Sequence, residues 1–113
     1  MMINYNCYGN IYKLNLYRTT YQNNGNLAII SLMAETIGDL YEGETFGTLT
    51  VNTDRKLPDN MACLDINNLR GIDKALVEAG LATRVGLTIN PGGFVDYPVY
   101  KIDINKIPVI ENK

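Results

Sequence analysis

Asn67-Asn68-Leu69-Arg70-Gly71-Ile72-Asp73-Lys74-Ala75-Leu76-Val77-Glu78-Ala79-Gly80-Leu81 is the stretch that decides the fold class. Leu69, Ile72, Leu76 and Ala79 recur at three and four residues, the spacing of one apolar stripe on a helix. Asn67 or Asn68 supplies an N-cap, and Gly80 a left-handed C-cap that places Leu81 for an apolar contact back to Leu76. The pattern predicts a helix from Leu69 to Ala79. Its electrostatics run the wrong way: Arg70 falls in the first turn and Glu78 in the last, each unfavourable by roughly 0.3–1 kcal/mol. Gly71 inside such a helix costs about 1 kcal/mol relative to alanine. Packing, not propensity, must hold it.

The flanks read as strands. Ile11–Thr20 alternates, with Tyr12, Leu14 and Leu16 on one side and Lys13 and Asn15 on the other. Gln22-Asn23-Asn24-Gly25-Asn26 has turn chemistry, and Leu27–Ala34 is apolar on both faces, so the two runs form a hairpin. Thr45–Thr53 is β-rich, with Leu49 and Val51 facing in. Met61–Ile66, Arg84–Ile89 and Tyr97–Ile104 follow as shorter strands, the last carrying Tyr100, Ile102 and Ile104 on one face. The expectation is an α+β domain spanning residues 1–113: an antiparallel sheet of about five or six strands with one main helix packed on one face. Residues 1–10 read as a loose lead-in and 105–113 as a mobile tail.

The chain has 113 residues and a formal charge of −2. That length buries about two thirds of the unfolded surface, enough for one core. The charge is too small to steer the chain to nucleic acid or an acidic membrane. No apolar run approaches the roughly 20 residues of a membrane span, and Met1–Asn10 lacks a signal peptide's basic start and apolar centre. Cys7 and Cys63 are far apart and read as reduced thiols in a cytoplasm.

Recognisable reaction chemistry is absent from the residue list. There is no histidine, so the commonest general base and neutral metal ligand are missing. Ser31 is the only serine and sits in an apolar strand, which argues against a nucleophilic triad. Asp65 and Asn67 mimic the start of a calcium loop, but Leu69, Arg70 and Leu76 occupy positions where ligands and the glycine are required. No cofactor is expected. Gly92-Gly93 lacks the lysine and helix start of a phosphate loop and reads as a turn.

Binding candidates remain. Around the expected helix start, Asp65, Asn67, Asn68, Arg70 and Gly71 combine free N–H groups, a planar cation and an approachable backbone, a set suited to a small anionic ligand or a partner carboxylate. At the second glycine turn, Gly92, Gly93, Phe94, Tyr97 and Tyr100 bring aromatic area suited to a protein interface. An unpaired edge strand would also make a homodimer easy.

Leu49-Thr50-Val51-Asn52, Leu57-Pro58, Asp65-Ile66-Asn67-Asn68, Ala79-Gly80-Leu81-Ala82, Gly93-Phe94 and Tyr97-Pro98-Val99-Tyr100 occur in one order. Residues 12–104 thereby resemble a family of small proteins, without assigned activity, carried by phages, plasmids and conjugative elements of gut-type bacteria. The family pattern reads Leu-Thr-Val-Asn, Asp-Thr-Asn-Asn, Gly-Leu-Ala, Ser-Gly-Phe and Tyr-Pro-Leu-Tyr. Ile66, Gly92 and Val99 depart from it, and Gly92 removes a turn hydroxyl. The resemblance implies a non-enzymatic accessory protein of a mobile element that binds a host protein, such as a defence effector, and includes anti-CRISPR inhibition of bacterial immunity. A protein sequestering a nucleotide signal, through Asn68–Gly71 with Gly92-Gly93, is the alternative. An enzyme using only carboxylates and tyrosine is a third and weaker reading.

Overall fold

Alternating burial along Asn10–Thr20 puts Leu14 and Leu16 fully inside, and this long strand is the centre of the first sheet. In the computed structural model, which describes residues 1–110, strands β1 (Met2–Cys7), β2 (Asn10–Thr20), β3 (Leu27–Met33) and β4 (Thr45–Thr48) pair antiparallel in that order. The expected hairpin is β2–β3, in register Leu14↔Met33 to Thr20↔Leu27. A second antiparallel sheet has the order β5 (Thr50–Val51), β6 (Met61–Leu64), β8 (Tyr97–Ile102), β7 (Ala82–Ile89).

The architecture is α+β, mostly antiparallel sheet with one helix. The count differs from the sequence expectation: among the described residues eight strands stand in two four-stranded sheets. The division falls at Leu49, inside a stretch of uniform β propensity. Leu49 is fully buried, and its N–H bonds Ile29 O at 2.8 Å while its carbonyl accepts from Asp65 N at 2.9 Å. It therefore serves β3 on one side and the second sheet on the other. Thr50 beside it is buried too, and its Oγ1 accepts from Ile29 N at 3.3 Å.

Helix α1 is shorter than its apolar stripe, running Ile72–Glu78. Neither Asn67 nor Asn68 caps it. Gly71 is the N-cap, at φ +79°, and the Leu69 N–H closes a turn on Asp65 O instead. The helix end follows the sequence reading. Gly80 N bonds Val77 O at 3.0 Å and Leu81 N bonds Leu76 O at 2.9 Å, with Gly80 at φ +74°, the paired bonds of a Schellman cap. The helix does not lie on the face of a single sheet. It packs against β1 and β7, the outer strands of the two sheets, and sends Ile72, Ala75 and Leu76 into a core shared with Ile3, Leu16 and Ile102. A smaller cluster of Leu57, Cys63, Ile89 and Val99 packs separately in the second sheet.

Both chain ends correct the sequence reading. The lead-in is strand β1, with Ile3 and Tyr5 in the core. Asparagines alternating with these apolar residues hid a period of two. The last strand stops at Ile102, and Ile104, expected at its end, opens a 3-10 turn, Ile104–Lys106, that takes in the start of the expected tail, where Ile107 is 1% exposed. Arg18 N donates to Pro108 O at 2.8 Å and Ile110 N to Arg18 O at 2.9 Å, so 108–110 run beside β2. Residues 111–113 of that expected tail lie outside the described residues.

Candidate functional site

The two groups of sequence candidates lie on different elements. Asp65 to Asn68 make a self-contained turn: Asp65 Oδ1 accepts from Asn68 N at 3.2 Å, and Asn68 Nδ2 donates to Asp65 Oδ2 at 2.9 Å. Asn67 is exposed beside it. Those side chains satisfy one another. Arg70 and Gly71 face elsewhere, bordering a cleft of about 370 Å³ with Asn6 and Cys7 of β1 and Tyr8 of the β1–β2 turn. The Tyr5 hydroxyl donates to Arg70 O at 2.8 Å and fixes this segment against β1. Burial, with the Cys7 thiol beside it, pushes the Tyr5 phenol well above its ordinary value.

Gly92 and Gly93 form the β7–β8 turn, closed by Asn90 Nδ2 donating to Asp96 Oδ1 at 2.7 Å. Among the described residues no hydrogen bond joins this turn to Arg70 or Gly71. Phe94 stands 95% exposed at the turn. Tyr97 is half-buried against the Leu57 cluster. Tyr100 is buried, and its hydroxyl donates to Asp73 Oδ2 at 3.0 Å. Burial first, then that carboxylate, raises its pKa. Tyr100 thus ties β8 to α1 and is not free surface.

Beside this turn, β7 is exposed from Thr83 to Thr88. Its register jumps from Arg84↔Tyr100 to Thr88↔Pro98, so it bulges outward around Gly86, at φ +78°. Val85 and Leu87 are left partly in solvent. A bulged edge is a poor template for another strand, which counts against dimerisation through β7.

Other polar groups are used internally. Ser31 Oγ donates to Gly47 O at 2.7 Å. Asn26, buried, donates to Asn52 Oδ1 and Arg55 O and accepts from Leu57 N at 2.9 Å. Asn24 Nδ2 bonds Asn52 Oδ1 and Thr53 O. This asparagine cluster pins the β2–β3 turn to the segment after β5. Burial pushes the Cys63 thiol up, and neither cysteine is paired. Among the described residues, no three His, Cys, Asp or Glu side chains gather as a metal site, and no helix is long and apolar enough to cross a membrane.

Sequence reasoning missed Tyr8. It sits at φ 50°, followed by Gly9 at φ 82°, in a two-residue turn closed by the Cys7↔Asn10 pair. Its side chain is 85% exposed. Positive φ at both positions favours Asn or Gly, so the residue type gave no cue, although Ile3 and Tyr5 two apart before a Tyr-Gly pair would have indicated the hairpin.

No protein-family model, no curated protein and no solved structure matches this chain.

Proposed function

We propose that this chain is a non-enzymatic accessory protein of a phage or mobile element that acts by binding a host protein, with inhibition of a CRISPR effector as the specific form. The observation that carries the binding reading is Phe94, held 95% in solvent on the β7–β8 turn. Burying such a ring is worth roughly 1.5–3 kcal/mol. Nothing in the fold collects that energy, whereas a partner surface would. Aromatic side chains with partly exposed apolar neighbours are the usual anchors of protein interfaces. The mobile-element context rests on the sequence resemblance.

The test is affinity capture from a host lysate, followed by co-elution with the purified captured protein. A discrete partner whose co-elution is lost in Phe94→Ala is expected. No specific partner, or equal capture by the variant, would refute the reading. Where the partner is a defence effector, its DNA cleavage should fall on adding this protein. The sequestering alternative needs Asn68–Gly71 and Gly92-Gly93 together, and they sit on separate turns. A thermal shift with a nucleotide panel, abolished by Arg70→Ala, would favour it instead.

A further inference from the structure

We propose that the groove between β1 and α1 docks an acidic, extended segment of a partner protein. Two clefts, of about 380 and about 370 Å³, share Asn6 and Gly71 and so form one groove. Ile11, Lys74 and Glu78 line one end, and Tyr8 and Arg70 the other.

Three independent features define the occupant. The first is charge. Lys56 and Lys106 each have a carboxylate at 3.6 Å. Among the described residues Arg70 and Lys74 have none within 4 Å, and Glu78 is the single acid lining the groove. On a chain of net charge −2, this groove is locally cationic, and a guanidinium towards one end with an ammonium towards the other suits carboxylates spaced along an extended segment.

The second is main-chain capacity. Leu16 N bonds Met1 O at 2.8 Å, which sets the phase of the β1–β2 ladder. Ile3, Tyr5 and Cys7 therefore turn their main chain towards β2, while the N–H and C=O groups of Asn4 and Asn6 turn outward. An extended segment can bond to those groups, as in strand-addition recognition. A folded anion such as a nucleotide has no use for them.

The third is Tyr8. A non-glycine residue in the left-handed region costs roughly 1–2 kcal/mol. With its side chain 85% exposed, packing within the fold does not offset that. The ring offers an apolar seat in the cleft it shares with Arg70, and Ile11, 57% exposed, offers a second at the other end of the groove. Tyrosine and arginine around one cleft are typical binding hot-spot residues.

This inference rests on the binding-protein reading but uses a surface distinct from Phe94, so the two can fail separately. The test is an NMR titration of the isotope-labelled full chain. One probe is a capped synthetic peptide alternating glutamate with leucine and phenylalanine; the controls are its lysine counterpart and ATP. The acidic peptide should shift the amides of Asn4, Asn6, Tyr8, Arg70 and Lys74. Affinity should fall about tenfold or more in Arg70→Glu and Lys74→Glu, and in about 1 M salt, where the Debye length is about 3 Å. Tyr8→Asn should weaken binding while raising the melting temperature, which separates lost binding from lost folding. Equal binding of the lysine peptide, shifts confined to the Phe94 turn, or shifts with ATP and none with the peptide would each overturn the proposal. Partner capture that survives Arg70→Glu but not Phe94→Ala would remove the groove and leave the binding reading standing.

Discussion

Replacing Gly71 with alanine discriminates between two accounts of the same residue. In the interior of a helix from Leu69, alanine would be favoured by about 1 kcal/mol. As the N-cap at φ +79°, the position penalises it. The left-handed conformation costs an L residue roughly 1–2 kcal/mol. The stiffer unfolded chain of alanine returns about 0.4–1 kcal/mol. The net expectation is a loss of about 1 kcal/mol. Sterics add nothing, because a Cβ built on Gly71 meets no atom within 4 Å. For a chain of this length the melting temperature should drop by about 4 °C. Gly71→Asn should lose less than Gly71→Ala, since asparagine tolerates the region. Scanning calorimetry or urea denaturation of the three chains, at one pH, reads the effect. A midpoint for the alanine variant equal to or above wild type would refute the cap geometry and restore the longer helix.

Leu76, fully buried in the shared core, should cost roughly 2–5 kcal/mol on truncation to alanine; a melt without loss would contradict the packing of α1. Asn26→Ala strands the buried Leu57 N–H, and a buried group left unpaired costs about 1–3 kcal/mol, which urea midpoints can check. Stability should hold up to about pH 10 and then fall, because the Tyr5 and Tyr100 phenols stay protonated in the fold above the pH at which unfolded tyrosines ionise. The sign is fixed: a raised folded value stabilises below the unfolded pKa and is lost as pH climbs through the folded one. A chemical-denaturation series from pH 8 upward that shows no decline beyond about pH 10 would contradict it.

Legibility from the sequence followed periodicity and failed where one residue did two jobs. The β2–β3 hairpin and β8 were readable because Leu14, Leu16, Tyr100 and Ile102 keep a strict period of two beside clear turn residues. The break at Leu49 was not, because both sheets want the same β-prone residues and only the hydrogen bonding at that point separates them. The helix start was misplaced because Asn67-Asn68 has ideal capping chemistry, yet Asp65 engages Asn68 in a turn of its own. Of the groove, Arg70 and Gly71 were visible by residue type. Tyr8, Ile11 and Lys74 became part of it only through the pairing of β1 with β2 and the approach of α1, relationships between distant segments that no local pattern encodes.

The segment beside Arg18 has a consequence for folding order. Strand β2 bonds β1 along one half of its outer edge and residues 108–110 along the other. The β1–β2–β3 meander is local and can assemble early. The 108–110 strap must return across about ninety residues of chain, and contacts of that separation form late. Until it docks, the second half of β2 stays an open edge, the hazard that promotes misassembly. The Arg18 amide, held by Pro108 O, is therefore a reporter: in pulsed hydrogen exchange its protection marks the moment the fold closes.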